Sequence, residues 1–194
     1  MLRQEIIVNK NEEKTIPFVW IDDGEDETEI IVRLSQEGAS VHIVGICLGR
    51  GTNRLFFNTS VIHEAPKTRS LTTIRGVFSG NAKFSNNGMI TIKKGAKGTD
   101  GYFASKLLLF NSAKGRSVPS LEIDENDLKA GHASTIGRPD PLQLFYLRSR
   151  GLSEAEAIKL VVSGFFDTTI KYFPSEEQTK IKKRILKSVS HISL

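Results

Sequence analysis

From about residue 28 to residue 132 the chain is a procession of short apolar runs, rich in β-branched and aromatic residues, punctuated by Gly, Asn, Asp and Ser. Such runs predict strands, because branched and aromatic side chains fit a pleated, half-buried surface. Strands are expected at EIIVRL (29–34), SVHIVGICLG (40–49), RLFFNTSVIH (54–63), SLTTIRGVFS (70–79), MITIKK (89–94), YFASKLLLF (102–110), PSLEI (119–123) and DLKAGHA (127–133). Two more are expected ahead of them, at QEIIVNK and IPFVWI.

A strand recurring about every ten residues is compatible with a sandwich, a barrel or a solenoid. Three details favour the solenoid. Turn chemistry repeats at Glu37-Gly38-Ala39, Asn87-Gly88, Lys94-Gly95-Ala96 and Lys114-Gly115, where the chain can wind on without reversing. Small residues are common inside the strands (Ser40, Gly45, Gly76, Gly80, Ala104, Gly131), as in closely stacked coils. Hairpin dipeptides of the Asn-Gly kind are nearly absent. Stacked coils bury one continuous core and leave their end coils in need of caps. The expected fold is mainly β: a right-handed parallel β-helix, wound as a triangular stack, with a C-terminal α-helical cap.

The texture changes at Asp140. Asp140-Pro141-Leu142-Gln143 reads as N-cap, N1 proline and capping-box glutamine, opening a helix PLQLFYLRSR that stops at Gly151. Ser153 and Glu156 form a second capping box, followed by Ala157, Leu160, Val161, Gly164 and Phe165 at helical spacing. Phe173-Pro174 ends that helix, and Ser175 and Gln178 begin a third with an apolar stripe of Ile181, Ile185, Val189 and Ile192. The division expected is a β-helix core over residues 1–139 and a helical domain over 140–194. The helices either cover the open end of the β-helix or dock a partner.

Composition narrows the class without naming a function. The 194 residues are 39% hydrophobic and 25% charged, which excludes disorder and fibrous repeats. No apolar run reaches the length of a membrane span, and the start, MLRQEIIVNKNEEK, has no signal-like apolar core, so a cytoplasmic location with no membrane partner is expected. A single cysteine, Cys47, excludes an intrachain disulfide and a cysteine-rich metal site; its place in VGICLG marks it as a buried, inert thiol. The net charge is +5, and Lys180, Lys182, Lys183, Arg184 and Lys187 gather in the last helix. They read as a solvated face, with an acidic partner as the sharper alternative; without interleaved aromatics, nucleic acid is not expected.

Candidate chemistry is sparse. His63 stands beside Glu64, but successive strand residues face opposite ways, so a turn or surface role is expected for the pair. His42 and His191 carry no pattern and are expected to be structural or solvated. There is no Walker A motif, dinucleotide fingerprint or HExxH. A carbohydrate-active β-helix enzyme would need convergent carboxylates, and Asp124, Glu125 and Asp127 form the only local cluster, expected to be a solvated corner.

Over residues 63–172 the chain resembles the C-terminal half of the SufB/SufD family of iron–sulfur cluster assembly proteins. The matching pieces are HEAPKTRS from His63, VFSGNAKF from Val77, IKKGAKGTDGYFASKLLLFNSAKGRSVPSLEI from Ile92, DLKAGHASTIG from Asp127, then LFYLRSRGLSEAEA and VVSGFF. Their order and spacing make the resemblance specific. It implies a β-helix that pairs with a SufB-like subunit or a second copy, a helical C-terminus docked on a SufC-type ABC ATPase, and a nascent cluster handled near the subunit interface. ATP hydrolysis would then belong to the partner, and this chain is expected not to be an enzyme.

The resemblance places His132 on the family's histidine, which offers an imidazole to iron at that interface. The same alignment shows departures. Ala130 stands where SufD-type chains carry a cysteine, Thr99 where SufB-type chains carry theirs, and Ala133 where SufB-type chains carry a glutamate. Cluster iron is held chiefly by thiolates, so the chain reads as SufD-like, holding no cluster of its own and meeting one only transiently at an interface. A structural homodimer without a role in cluster assembly is the alternative reading.

Overall fold

A computed structural model describes residues 2–193. Ten strands precede three helices: β1 (Leu2–Ile7), β2 (Glu13–Ile21), β3 (Glu25–Leu34), β4 (Ser40–Gly49), β5 (Arg54–His63), β6 (Arg69–Phe78), β7 (Lys83–Ile92), β8 (Thr99–Leu109), β9 (Lys114–Ile123), β10 (Leu128–Gly137), α1 (Pro141–Ser149), α2 (Glu154–Ile170) and α3 (Ser175–Val189). Odd-numbered strands form one five-stranded sheet, β1-β3-β5-β7-β9, and even-numbered strands the other, β2-β4-β6-β8-β10. Every pairing is parallel, for example Glu13↔Ser40, Ser40↔Arg69 and Arg69↔Asp100.

The chain is thus a β-helix of about five coils, as the strand rhythm predicts. The coils are flattened between two sheets rather than triangular. The physical reason is the length of the corners: segments 35–39, 50–53, 64–68 and 79–82 are too short to hold a third strand. One residue at the same side of each coil turns into the left-handed region, at Asn11 (φ 55°), Gly38 (φ 72°), Lys67 (φ 55°) and Gly98 (φ 67°). Their amides carry the ladder through the corner, Asn11 N–H donating to Glu37 O at 3.1 Å, Gly38 to Pro66 O at 3.2 Å, Lys67 to Lys97 O at 2.7 Å and Gly98 to Asp127 O at 2.7 Å. Two expected corners lie elsewhere. Asn87-Gly88 sits within β7, where Gly88 leaves space for the Phe103 ring, and Lys114-Gly115 opens β9.

Two cores result. Between the sheets lie Ile16, Ile30, Val32, Ile43, Phe57, Ile74, Phe84, Ile90 and Phe103, from both inner faces. The second core lies on the outer face of the even sheet, where Ile21, Val44, Ile46, Leu48, Val77 and Phe110 meet the three helices. β4 is therefore covered on both faces, which explains its unbroken apolar run from Val44 to Leu48. Among the described residues the helices pack on the outer face of the even sheet, as a flank rather than as a cover over an end of the stack.

Local capping follows the sequence at Asp140 and Ser153, while Gln143 makes no capping-box bond. Asp140 accepts the Leu142 amide at 2.9 Å, and Ser153 and Glu156 cap each other's backbone as a full capping box. The third helix starts at Ser175 behind Pro174 with no side-chain cap; Gln178 instead donates its amide to Phe173 O at 2.8 Å and closes the turn. The buried face of α2 is Ala157, Ile158, Val162, Phe166, Thr169 and Ile170, one residue round from the stripe expected, leaving Leu160 exposed. Along α3 and just past its end the expected stripe of Ile181, Ile185, Val189 and Ile192 is buried throughout. Asp22 ties this helix to the β-helix, accepting from Ser188 Oγ at 2.6 Å and Arg50 Nε at 2.9 Å.

Candidate functional site: the terminal coil and the helical flank

β9 and β10 end their sheets, with no further strand beyond either among the described residues. Their outward edges expose unpaired N–H and C=O groups over ten-residue strands, a template for strand addition or for closure by a partner. Ile123 and Ile136 add exposed apolar surface to the same coil. His132 lies here. It pairs in register with Phe103 and therefore shares that residue's inward face, as Ser134 shares that of Ser105, Ala130 that of Gly101 and Leu128 that of Thr99. Its exposure comes from the missing sixth coil: the imidazole looks into the open end of the stack. Ala133, one residue on, pairs with Ala104 and faces the other way.

Thr99 and His63 form a different, sealed assembly. His63 is wholly buried at the end of β5, with Nδ1 2.8 Å from Thr68 Oγ1 and Nε2 2.8 Å from Ser70 Oγ. Thr68 also lies 3.1 Å from Thr99 Oγ1, and Thr99 donates to Ala96 O at 2.8 Å. A neutral imidazole with its proton on Nδ1 fits both contacts: it donates to Thr68 and accepts from Ser70. Burial accordingly pushes its pKa down to about 4. The expected turn or surface role holds for Glu64, which is exposed and pairs with Arg33 at 2.8 Å, but not for His63. The missed signal is parity: His63 continues the inward series Leu55, Phe57, Thr59, Val61.

The remaining candidates take structural positions. Cys47 is completely buried in the inter-sheet core, and burial pushes its thiol far above the ordinary range. His42 is half-buried, 3.1 Å from Thr73 Oγ1 and edge-on to the Tyr172 ring at 4.5 Å, while His191 is exposed and caps the end of α3 near Lys187 O. Glu125 accepts the amides of Gly95 at 2.9 Å and Asn126 at 2.8 Å, so in the Asp124–Asp127 corner it acts as a backbone staple. Among the described residues no group of three or more His, Cys, Asp or Glu is gathered to hold a metal. With the one thiol sealed in the core, Ala130 on the histidine's own strand and Thr99 on the neighbouring one, the donor set does not fit an iron–sulfur cluster held by this chain alone.

Among the described residues the two most exposed large apolar side chains, Leu142 and Phe145, lie on the helical flank. On α1 only Leu144 is buried; Leu142 is 75% exposed, Phe145 70% and Tyr146 56%. Arg150 stacks on the Tyr146 ring at 5.3 Å and donates to its hydroxyl at 3.1 Å, holding the aromatic in place. Adjacent aromatics on a short helix are enriched at interfaces, and this was the signal in PLQLFYLRSR. No helix among the described residues is long and apolar enough to cross a membrane.

Fold and site together define a β-solenoid whose sheets end in uncovered strands and whose helical flank carries an exposed apolar face. Comparison with known proteins sharpens the class. The family model described as "SUF system FeS cluster assembly, SufBD core domain" matches residues 21–165, and the chain belongs to that family. It is similar to the iron–sulfur cluster assembly protein SufD of Bacillus subtilis, 33% identical over 167 residues that make up 86% of this chain and 38% of the relative. SufBD family proteins of Mycobacterium leprae (32% over 169 residues) and Mycobacterium tuberculosis (34% over 169 residues) match 82% of this chain and 42% of their own length. The chain thus spans about two-fifths of the length of the curated relatives it matches.

Proposed function

We propose that this chain is a non-catalytic, SufD-like subunit of an iron–sulfur cluster assembly complex. Its β9–β10 coil pairs with a SufB-like subunit or with a second copy, and its helices, within residues 140–194, dock a SufC-type ABC ATPase. The observation that carries the reading is the coexistence of two unsatisfied surfaces on a family member: the open terminal coil with Ile123 and Ile136, and the α1 face of Leu142, Phe145 and Tyr146. The cluster is cargo at the subunit seam. His132, exposed on β10, would offer one imidazole there, and thiolates would come from the partner.

Co-expression with a SufC-type ATPase and a SufB-like chain, followed by purification through a tag on this chain, tests the proposal. All three are expected to elute together, and Phe145→Ser with Tyr146→Ser is expected to release the ATPase while the SufB-like chain stays. Deleting residues 141–194 would be a poorer test, because it strips the cover from Val44, Ile46, Leu48 and Val77. Elution of this chain alone under conditions in which the other two associate would refute the reading.

A further inference from the structure

Arg75 is a cation without a counter-charge. It stands on the outer face of β6, with its guanidinium 5.1 Å from the centre of the Phe165 ring of α2. The position is half-buried, and desolvation lowers its pKa from the usual guanidinium value. A guanidinium has five N–H donors, and withdrawing it from water without acceptors is costly. Yet among the described residues Arg75 has neither an ion pair nor a side-chain hydrogen bond. The residue directly in register on β8 is Lys106, also without an ionic partner, and the next in that row is Thr135 on β10. Like charges side by side on neighbouring strands repel, so the pair is unfavourable for the isolated fold.

Beside this pair opens a groove of about 430 Å³ between β8–β10 and the helices, with Lys106 on its floor and Leu147, Leu160, Val161 and Phe165 along its walls. Arg138 also lines the groove and adds a positive charge, while its guanidinium donates to Asn111 O at 2.9 Å. The groove's carboxylate, Asp140, is already engaged as the N-cap of α1. The notch asks for two things from one occupant: an anion against Lys106, with Arg75 next to it in register, and apolar side chains against the walls. A free phosphate would answer only the first.

We propose that the groove receives an acidic, apolar-anchored segment of the SufC-type ATPase, with a carboxylate seated against Lys106 and within the field of the neighbouring Arg75. This rests on the docking reading above and adds a second, electrostatic contact beside the aromatic face of α1. Charge complementarity in a partly desolvated notch governs which partner fits as much as how tightly it binds.

Titration of the ATPase onto wild type, Arg75→Gln/Lys106→Gln and Lys83→Gln, at low and at physiological ionic strength, tests this. The double variant is expected to bind at least about tenfold more weakly at low salt and to lose most of the salt dependence. Its melting temperature is expected not to fall, since an uncompensated charge pair is removed. Lys83→Gln, on the exposed outer face of the odd sheet, is expected to bind like wild type. ATPase binding equal to wild type for Arg75→Gln/Lys106→Gln overturns the inference and leaves the docking reading standing. If inorganic phosphate raises the melting temperature of wild type while the double variant still binds the ATPase normally, the notch belongs to a free anion and the inference is likewise overturned. A wild-type chain that does not bind the ATPase refutes the docking reading, and this inference with it.

Discussion

His63 gives the account its most quantitative test. Its imidazole is buried between Thr68 and Ser70 and its pKa is lowered from 6.5 to about 4, so the folded protein refuses a proton that the unfolded chain accepts. Above pH 6.5 the ring is neutral in both states and this group adds no pH dependence. Between pH 6.5 and 4 the unfolded state binds the proton first and stability falls; below about pH 4 both states are protonated and the loss levels off. A shift of this size corresponds to roughly 3 kcal/mol in full, of which about 2 kcal/mol is lost between pH 7 and pH 5. Against a typical domain stability of about 5–15 kcal/mol that is a large share. Urea unfolding of wild type and His63→Gln at both pH values isolates it: the variant is expected to be less stable at pH 7, and to lose about 2 kcal/mol less than wild type on going to pH 5. Equal losses in the two proteins, or a His63 ring that titrates near 6.5 by NMR, would refute the buried neutral imidazole.

Other outcomes follow from single contacts. Gly88→Ala drives a methyl group into the Phe103 ring and is expected to cost about 1–3 kcal/mol in thermal or urea unfolding, with Phe103→Leu recovering part of the loss. Asp22→Ala removes the acceptor shared by Ser188 and Arg50, and is expected to cost about 2 kcal/mol and to raise hydrogen exchange selectively in α3. Cys47 is expected to resist iodoacetamide at pH 8 in the native protein and to react fully in denaturant; native labelling would place the thiol outside the core.

Much of this architecture was legible because its elements are locally consistent. All ten strands are marked by apolar runs, and α1 and α2 also by their caps, Ser153 with Glu156 marking the start of α2 to the residue, whereas Ser175 forms no cap for α3. What was not legible is tertiary. α2 is apolar on most of its surface, so the series Ala157, Leu160, Val161, Gly164, Phe165 competes with Ile158, Val162, Phe166, Ile170; the second series wins because it meets Val44, Ile46 and Val77 on the sheet. Asn87-Gly88 has turn chemistry, yet Gly88 is needed inside a strand to admit an aromatic from the opposite sheet. The number of faces per coil depends on corner lengths, which strand rhythm alone does not report. His63 and His132 were both readable by parity, one facing a closed coil and the other an open one, but only the stack distinguishes the sealed histidine from the accessible one. The unpaired Arg75 has no sequence signature, since its isolation is set by what fails to lie next to it in space.

On the reading proposed above, the helical flank docks an ATPase. Hydrogen–deuterium exchange of this chain, alone and with a SufC-type ATPase added in excess, tests it most directly. Slowed exchange is predicted over 141–149 and the facing part of α2, with the odd sheet β1-β3-β5-β7-β9 unchanged. Protection confined to the odd sheet, or an exchange pattern that the ATPase leaves untouched, would contradict the account.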